Sequence, residues 1–281
     1  APAPANWTSV EFDATGWRKG SSKVFARTPY LADLCVRGQF EVTDPAAVAG
    51  LKLDLSYYGG VVVYLNGQEV ARGDIEAGAA MAKAYPREAF ITDDGKLMPG
   101  GWQAERHKKQ MELRQRSLSA VELPAKHLRK GTNVVAVHVV RAPYDKVIDE
   151  LKAEQEEDKR RDSRGCPYDL SWSTCELRNV RLVADGPTGV VANTGRPEGL
   201  QVWNGDLLTP DYLSSTGDRC EPLRPMAIRG VRNGWYSGKV LLGSSAAIEG
   251  LKAQCSDLAQ AGATIPSSAI RVRYGTSWEG S

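Results

Sequence analysis

The chain has 281 residues, of which 42% are hydrophobic and 25% charged, the balance of a globular protein long enough for two domains. Its 36 Lys and Arg residues nearly match 34 Asp and Glu residues, so the net charge of +2 gives no general reason to expect nucleic acid or an anionic membrane as a partner. No stretch approaches the roughly 18 consecutive apolar residues of a membrane-spanning helix.

The chain begins Ala1-Pro2-Ala3-Pro4-Ala5, with neither an initiator methionine nor an apolar leader segment. This beginning is typical of a mature chain after removal of a signal peptide, although a trimmed chain would look the same. We expect an exported protein, extracellular or periplasmic.

Strand patterns dominate the first half of the chain. Residues 36–42 and 51–56 alternate apolar and polar side chains, which predicts half-buried antiparallel strands. Residues 61–70 contain Asn66-Gly67 between two apolar runs, and this dipeptide suits the two positive-φ positions of a type I′ hairpin turn. Residues 133–140 are apolar on both faces, which predicts a strand central in its sheet.

Two segments interrupt this β pattern. Residues 76–117 include an Ala-rich stretch and a basic stretch, and they form a predicted insertion with helical content. Residues 144–164 are highly charged, and Val147, Ile148 and Leu151 are their large apolar residues. We expect a solvated helix that docks only by its first turn, with a partner-binding arm as the alternative.

A strand around Val180 and Leu182 ends at the turn Asp185-Gly186-Pro187, which is the predicted domain boundary. Beyond it, four further segments have strand character: 189–192, 200–203, 239–242 and 270–274. Short strands at this spacing predict a second β-sandwich. The predicted fold class is therefore all-β, with two β-sandwich domains at residues 1–186 and 187–281 and helical insertions in the first.

The five cysteines contain no C-x-x-C pair, which excludes zinc ribbons and thioredoxin-type redox sites. Cys166 and Cys175 flank a short turn-rich segment, so an exported chain would join them as a disulfide, with Cys35 as the second choice of partner for Cys175. The alternative is that all five are small buried hydrophobic residues.

Catalytic signatures are weak in this sequence. The three histidines have no visible catalytic partner, and His138 lies within a strand, where we expect a structural role. Neither H-E-x-x-H nor G-x-S-x-G occurs. Asp93-Asp94-Gly95 is typical of a plain turn more than of a cation site.

Several motifs of the first half belong together: Phe12-Asp13 with Gly16-Trp17, then residues 36–42, 64–70, 123–134 and 141–144. They resemble the galactose-binding-like jelly-roll modules that accompany glycoside hydrolases, over about residues 7–183. Relatives of this module have an acidic pair where this chain reads Tyr57-Tyr58-Gly59-Gly60. Carboxylates are preferred calcium ligands, so the sequence does not support a structural calcium ion at this turn. We expect no cofactor.

Residues 199–275 carry a second set of motifs: Leu200 to Asn204, Arg232-Asn233-Gly234, Ala263 to Pro266 and Val272 to Tyr274. They are similar to the N-terminal β-sandwich of β-N-acetylgalactosaminidase-like glycoside hydrolases, and the whole resembles exported multidomain proteins of planctomycete type. The catalytic carboxylates of such enzymes lie in a downstream domain. The resemblance therefore implies accessory modules, carries over no catalytic residue, and suggests a further domain in the same polypeptide.

The candidate ligand-binding residues are aromatic or cationic residues at strand ends or in the insertion: Tyr57, Tyr58, Trp102, Arg141 and Tyr144. Aromatic faces stack on sugar rings, and an arginine supplies hydrogen bonds beside them. Arg106, Lys108 and Lys109 form a basic patch that would suit an acidic polysaccharide.

The sequence thus favours a non-catalytic carbohydrate-binding region whose partner is a glycan or a surface protein. Two sandwiches acting as a structural or assembly module are the alternative, and an enzyme with its site in this chain is a third hypothesis.

Overall fold

A computed structural model describes residues 3–17, 24–25, 31–98, 106–156, 174–192, 196–207, 215–226, 228, 230–260 and 262–275. The chain divides into two compact units, Ala1–Asn193 and Thr194–Ser281. This division falls seven residues after the predicted boundary between residues 186 and 187.

The first unit contains eight strands among its described residues: β1 Val24–Phe25, β2 Asp33–Val42, β3 Lys52–Tyr58, β4 Gly60–Leu65, β5 Gln68–Gly73, β6 Arg116–Glu122, β7 Gly131–Val140 and β8 Glu176–Val183. They form two four-stranded antiparallel sheets with the orders β1-β8-β3-β6 and β2-β7-β4-β5. The all-β prediction is confirmed.

The two sheets share one apolar core. Alternate residues of β3, such as Leu53 and Leu55, pack in one cluster with Val61 and Val63 of β4 and Val137 of β7. Strand β7 lies between β2 and β4 and is hydrogen-bonded to both. Its predicted central position in the sheet is therefore confirmed.

The β4–β5 hairpin turns at Asn66 and Gly67, whose φ angles are 50° and 88°. Two consecutive positive φ values are those of the predicted type I′ turn. The turn is tied to β7, because the backbone N–H of Val134 donates to Asn66 Oδ1 at 2.8 Å.

Asn133 completes this connection from a fully buried position. Its Oδ1 accepts from Asn66 Nδ2 at 2.8 Å and from the Arg129 backbone N–H at 2.9 Å. Its Nδ2 donates to the carbonyls of Arg129 and Gly131 at 2.7 and 3.0 Å. Four hydrogen bonds on one buried amide hold the turn before β7 against the hairpin.

The predicted insertion packs as a second cluster on the β4–β7 side of the unit. Val62 and Val140 belong to one buried group with Tyr85 and Phe90 of the insertion. Helix α1, Lys108–Arg114, follows within the insertion.

Helix α2, Val147–Glu156, joins the same cluster through its first turn, where Val147 and Ile148 are buried. Docking by this turn was predicted. Residues 157–164 of the predicted charged helix lie outside the described residues. Neither helix has the length and apolar character required to cross a bilayer, in the described part of the chain.

The described part of the second unit has two antiparallel two-stranded sheets. Strand β9, Leu200–Gly205, pairs with β10, Lys239–Ser244, and β11, Leu258–Gln260, pairs with β12, Ala263–Ile265. These described residues do not close into a second sandwich.

Two strand predictions near this unit are wrong in detail. Residues 270–274 are largely exposed and contain no strand. In residues 189–192, Val190 forms a single bridge to Val42. This segment does not form a strand because Gly189 has a φ of 80°, which is not an extended conformation. The backbone of Gly189 also approaches that of Asp44 closely, so the chain turns there.

Candidate functional site

The end of β3 carries the adjacent tyrosines that the sequence suggested as ligand-binding groups. Tyr57 is fully buried, and its hydroxyl donates to Asp74 Oδ2 at 2.9 Å. Burial and that hydrogen bond raise the pKa of Tyr57. Tyr57 therefore belongs to the core, which corrects the expectation that its ring is available to stack on a sugar. The strand pattern placed it at a strand end but did not reveal that its ring enters the core shared by the two sheets.

Gly59, just after β3, is held by Tyr85 and Arg116. Its N–H donates to the Tyr85 hydroxyl at 2.7 Å, and its carbonyl accepts from Arg116 Nη1 at 2.6 Å. The Arg116 guanidinium stacks 4.0 Å from the centroid of the Tyr85 ring. Burial raises the pKa of Tyr85 to about 12, so this phenol stays neutral. A cation already binds the Gly59 carbonyl, which disfavours a calcium ion at this turn.

Tyr58 lies beside two guanidinium groups. Arg178 of β8 donates from Nη1 to the Tyr58 hydroxyl at 2.9 Å, and its Cζ lies 4.8 Å from the ring centroid. Arg114 of α1 has its Cζ 5.5 Å from the same centroid. Tyr58 is only 3% exposed, so it contributes one edge to the surface and not a free ring face.

A surface pocket of about 250 Å³ lies at this point, between the end of β3, helix α1 and strand β8. Its lining residues are Tyr58, Lys108, Met111, Glu112, Gln115 and Arg178. Two cations face one carboxylate in this lining, and an amide and a phenol add further hydrogen-bonding groups. The pocket is therefore polar with a net positive charge, which suits a hydroxylated or anionic ligand.

Arg114 adds a buried charge behind the pocket. It is 3% exposed, and its Nη2 donates to the Met111 sulfur at 3.0 Å. Its Nε and Nη1 are buried without a hydrogen-bond partner in the structure. Burial lowers the pKa of Arg114, while the neighbouring Tyr58 and Tyr85 oppose that shift. An arginine stays charged in proteins, so Arg114 reinforces the positive potential at the pocket.

The other predicted site residues do not line this pocket. Arg141 and Tyr144 are half-buried; the Arg141 backbone N–H donates to the Ala32 carbonyl at 2.9 Å, and Tyr144 packs edge-to-face on Phe90. Trp102 lies outside the described residues. The sequence did not single out Glu112, Gln115 or Arg178, because only the packing of α1 beside β8 brings them together. The basic run around Lys108 was the sequence feature that pointed to this part of the surface.

The predicted disulfide remains a prediction, since Cys166 lies outside the described residues. The thiol of Cys175 is buried and donates to the Val139 carbonyl at 3.6 Å. Burial raises the pKa of Cys175 to about 12. Burial also raises the pKa of Cys35, to about 11.

Asp93-Asp94-Gly95 forms a turn, as predicted. The N–H of Gly95 donates to the Thr92 carbonyl at 2.9 Å, and the Thr92 hydroxyl donates to Asp94. The Asp94 carboxylate also pairs with Lys96 at 3.2 Å. Local partners thus account for Asp94, while Asp93 Oδ1 accepts from Gln110 Nε2 of α1 at 3.0 Å.

No protein-family model matches this chain, and no curated protein matches it. Solved structures with weak similarity to this chain include two beta-glucuronidases. The first is a calcium-binding mutant of Bacteroides uniformis beta-glucuronidase 2, at 15% identity and a TM-score of 0.32, covering 73% of this chain and 19% of that one. The second is Bifidobacterium dentium beta-glucuronidase complexed with coumarin-3-O-glucuronide, at 13% identity and a TM-score of 0.21, covering 64% and 24%. The chain thus spans about a fifth to a quarter of these enzymes.

Proposed function

We propose that this chain is a non-catalytic carbohydrate-binding region of an exported protein, and that it binds its glycan at the pocket between α1 and β8. The observation that carries the proposal is the lining of that pocket. It combines Lys108 and Arg178 with the amide of Gln115, groups that donate hydrogen bonds to sugar hydroxyls and carboxylates.

The same lining supports binding without turnover. A glycosidase of the usual kind needs two carboxyl groups about 5–9.5 Å apart across the scissile bond. The pocket lining supplies one carboxylate, Glu112. Among the described residues, the nearby carboxylate of Glu176 is buried, and its Oε1 lies 3.4 Å from Nη1 of Arg178.

The net positive lining further favours acidic saccharides over neutral ones. In this proposal the carboxylate or sulfate of the sugar lies against Lys108 and Arg178, while Glu112 accepts from a hydroxyl. Any catalytic activity of the full polypeptide would then reside in a further domain of it.

The test compares Lys108→Ala with Lys109→Ala by calorimetric titration of uronic-acid-containing and neutral oligosaccharides. Both lysines are exposed and adjacent, but only Lys108 lines the pocket. We expect Lys108→Ala to weaken binding of the acidic oligosaccharide by about tenfold and Lys109→Ala to leave it unchanged. Equal effects of the two variants, or absence of binding to every saccharide, would refute the pocket assignment. Hydrolysis by the isolated chain would refute the non-catalytic role.

A second candidate function, a structural or assembly module, is favoured by one observation in the second unit. On one face of the β9–β10 sheet, Leu200, Val202, Val240 and Leu242 are each about 39–59% exposed. Contiguous exposed apolar surface is typical of an interface. The partner in this candidate is a second copy of the chain, because two identical apolar faces can pack against each other about a two-fold axis.

Light scattering of the purified chain distinguishes the two candidates. A defined oligomer that dissociates in Val202→Lys, without any glycan binding, would favour assembly. A monomer that binds acidic oligosaccharides would favour the carbohydrate-binding function.

A further inference from the structure

Strands β2 and β7 bring three different metal-binding side chains together. Cys35 of β2 is directly opposite His138 of β7 in the antiparallel ladder. Asp33 lies two residues before Cys35 and therefore on the same face of β2. One carboxylate oxygen of Asp33, the Cys35 sulfur and one imidazole nitrogen of His138 all lie within 4.8 Å of one another.

We propose that Asp33, Cys35 and His138 form a binding site for a single Zn²⁺ ion, separate from the glycan pocket. A thiolate, an imidazole and a carboxylate are three of the ligand types that zinc takes in proteins. Calcium and magnesium prefer oxygen ligands only, so this mixed set does not suit them.

The distances are close to those that a tetrahedral ion requires. An oxygen and a nitrogen at about 2.0 Å from zinc are about 3.3 Å apart in a tetrahedron. Asp33 Oδ1 and His138 Nε2 are 3.7 Å apart, so these two ligands need to approach by only a few tenths of an ångström. The sulfur of Cys35 needs at most a shift of about 1.5 Å, which a change in its side-chain torsion supplies.

The surroundings give the site a rigid base and an open side. His138 is paired on one side with Cys35 and on the other with Val62 of β4, so the ladder fixes its backbone. The Trp7 ring, 8% exposed, packs edge-on against the imidazole at 6.2 Å and supplies an apolar wall. The side chains of His138 and Asp33 are 31% and 50% exposed, which leaves the fourth position of the ion to water.

Charge also favours a divalent ion. When zinc binds, the Cys35 thiol gives its proton to solvent and the sulfur bonds to the metal as a thiolate. The thiolate and the Asp33 carboxylate then balance the two positive charges of the ion, and His138 contributes a neutral nitrogen.

Cobalt titration of the full chain tests this site. After treatment with a chelator and a thiol-free reductant, Co²⁺ is added and the thiolate-to-cobalt charge-transfer band and the visible bands are recorded. We expect one equivalent of Co²⁺ with a tetrahedral spectrum, displaced by one equivalent of Zn²⁺. Absence of the charge-transfer band in the wild-type chain would overturn the proposal.

Variants separate this site from the other thiols. Cys35→Ser is expected to remove the charge-transfer band, whereas Cys255→Ser, which removes an exposed thiol of the second unit, is expected to keep it. A band that survives Cys35→Ser would come from another thiol and would overturn the proposal. If Cys35→Ser does not fold by circular dichroism, Asp33→Asn replaces it, since Asp33 is exposed. This variant should keep the sulfur band but weaken Zn²⁺ binding by at least about tenfold, and unchanged affinity would contradict the assignment.

Discussion

Two glycines with similar backbone angles but different surroundings allow a matched test of packing at the end of β3. Gly67 has a φ of 88°, and a Cβ added there would meet no atom closer than 3.9 Å. Gly59 has a φ of 99°, and a Cβ there would lie 2.3 Å from the Val140 carbonyl oxygen and 2.7 Å from that of Thr174. We therefore expect alanine to be far more costly at Gly59 than at Gly67.

The magnitudes follow from the separate contributions. Alanine at Gly67 carries only the left-handed backbone strain, about 1–2 kcal/mol. Alanine at Gly59 adds the overlap with two carbonyls, about 1–3 kcal/mol, and displaces the two hydrogen bonds to Tyr85 and Arg116, about 1 kcal/mol each. The expected loss at Gly59 is thus about 4–7 kcal/mol, a large part of the stability of a typical domain.

The assay is urea unfolding of the full chain, followed by tryptophan fluorescence and by far-ultraviolet circular dichroism. The free energy of unfolding of each variant is compared with that of the unsubstituted chain, at equal m-values. Losses at the two glycines that agree within about 0.5 kcal/mol would refute the crowded turn at Gly59. Replacing Gly67 by Val should cost at least as much as Ala there, and an unchanged stability would refute the type I′ turn.

Three further predictions concern buried and ionised groups. Asn133→Ala removes four hydrogen bonds from a buried position and should lower the unfolding free energy by about 3–4 kcal/mol, and a loss below about 1 kcal/mol in urea unfolding would contradict the network. The hydrogen bonds from Ser9 and Arg129 lower the pKa of the Glu11 carboxyl from 4.5 to about 2. Its stabilising effect is therefore complete above pH 4.5 and lost as the pH falls through 2; a carboxyl titration midpoint near 4.5 by nuclear magnetic resonance would show that the pairing is absent. With any disulfide reduced, the Cys175 thiol should resist alkylation at pH 8, where about one molecule in ten thousand is thiolate, while the exposed Cys255 reacts at once. Mass spectrometry of labelled peptides measures both rates, and equal labelling of the folded chain would contradict the burial of Cys175.

The hairpin turn and the central strand of the first unit could be predicted because each depends on a short run of neighbouring residues. The Asn-Gly pair suits the two adjacent positive-φ positions of a type I′ turn. The run of β7 that is apolar on both faces is typical of a strand with neighbours on both sides. Tyr57 shows where this reasoning stops. Period two placed it correctly on a strand, but its burial depends on the core between the two sheets and on Asp74, just after β5 and seventeen residues later, which accepts from its hydroxyl.

The pocket could not be predicted from the sequence, because its lining residues are far apart in the chain. Arg178 and Lys108 are seventy residues apart in the chain, and no spacing rule joins a short helix of an insertion to the last strand of the sheet. In the second unit, the alternation of residues 270–274 was a genuine period-two pattern. Alternation alone does not make a strand, because a strand also needs a neighbour to pair with.

The pairing of β3 with β8 has a consequence for how the protein is made. Lys52 pairs with Val183, about 130 residues later, and β2 pairs with β7 across about 100 residues. At a synthesis rate of about 5–20 residues per second, β3 waits roughly 7–26 s on the ribosome before β8, one of its two partner strands, has been made. During that interval its apolar face has no finished core to cover it. Folding of this unit during synthesis is thus limited by the pairing of strands that are far apart in the chain. Chaperones that bind unfolded chains would protect it most before residue 183 has left the ribosome.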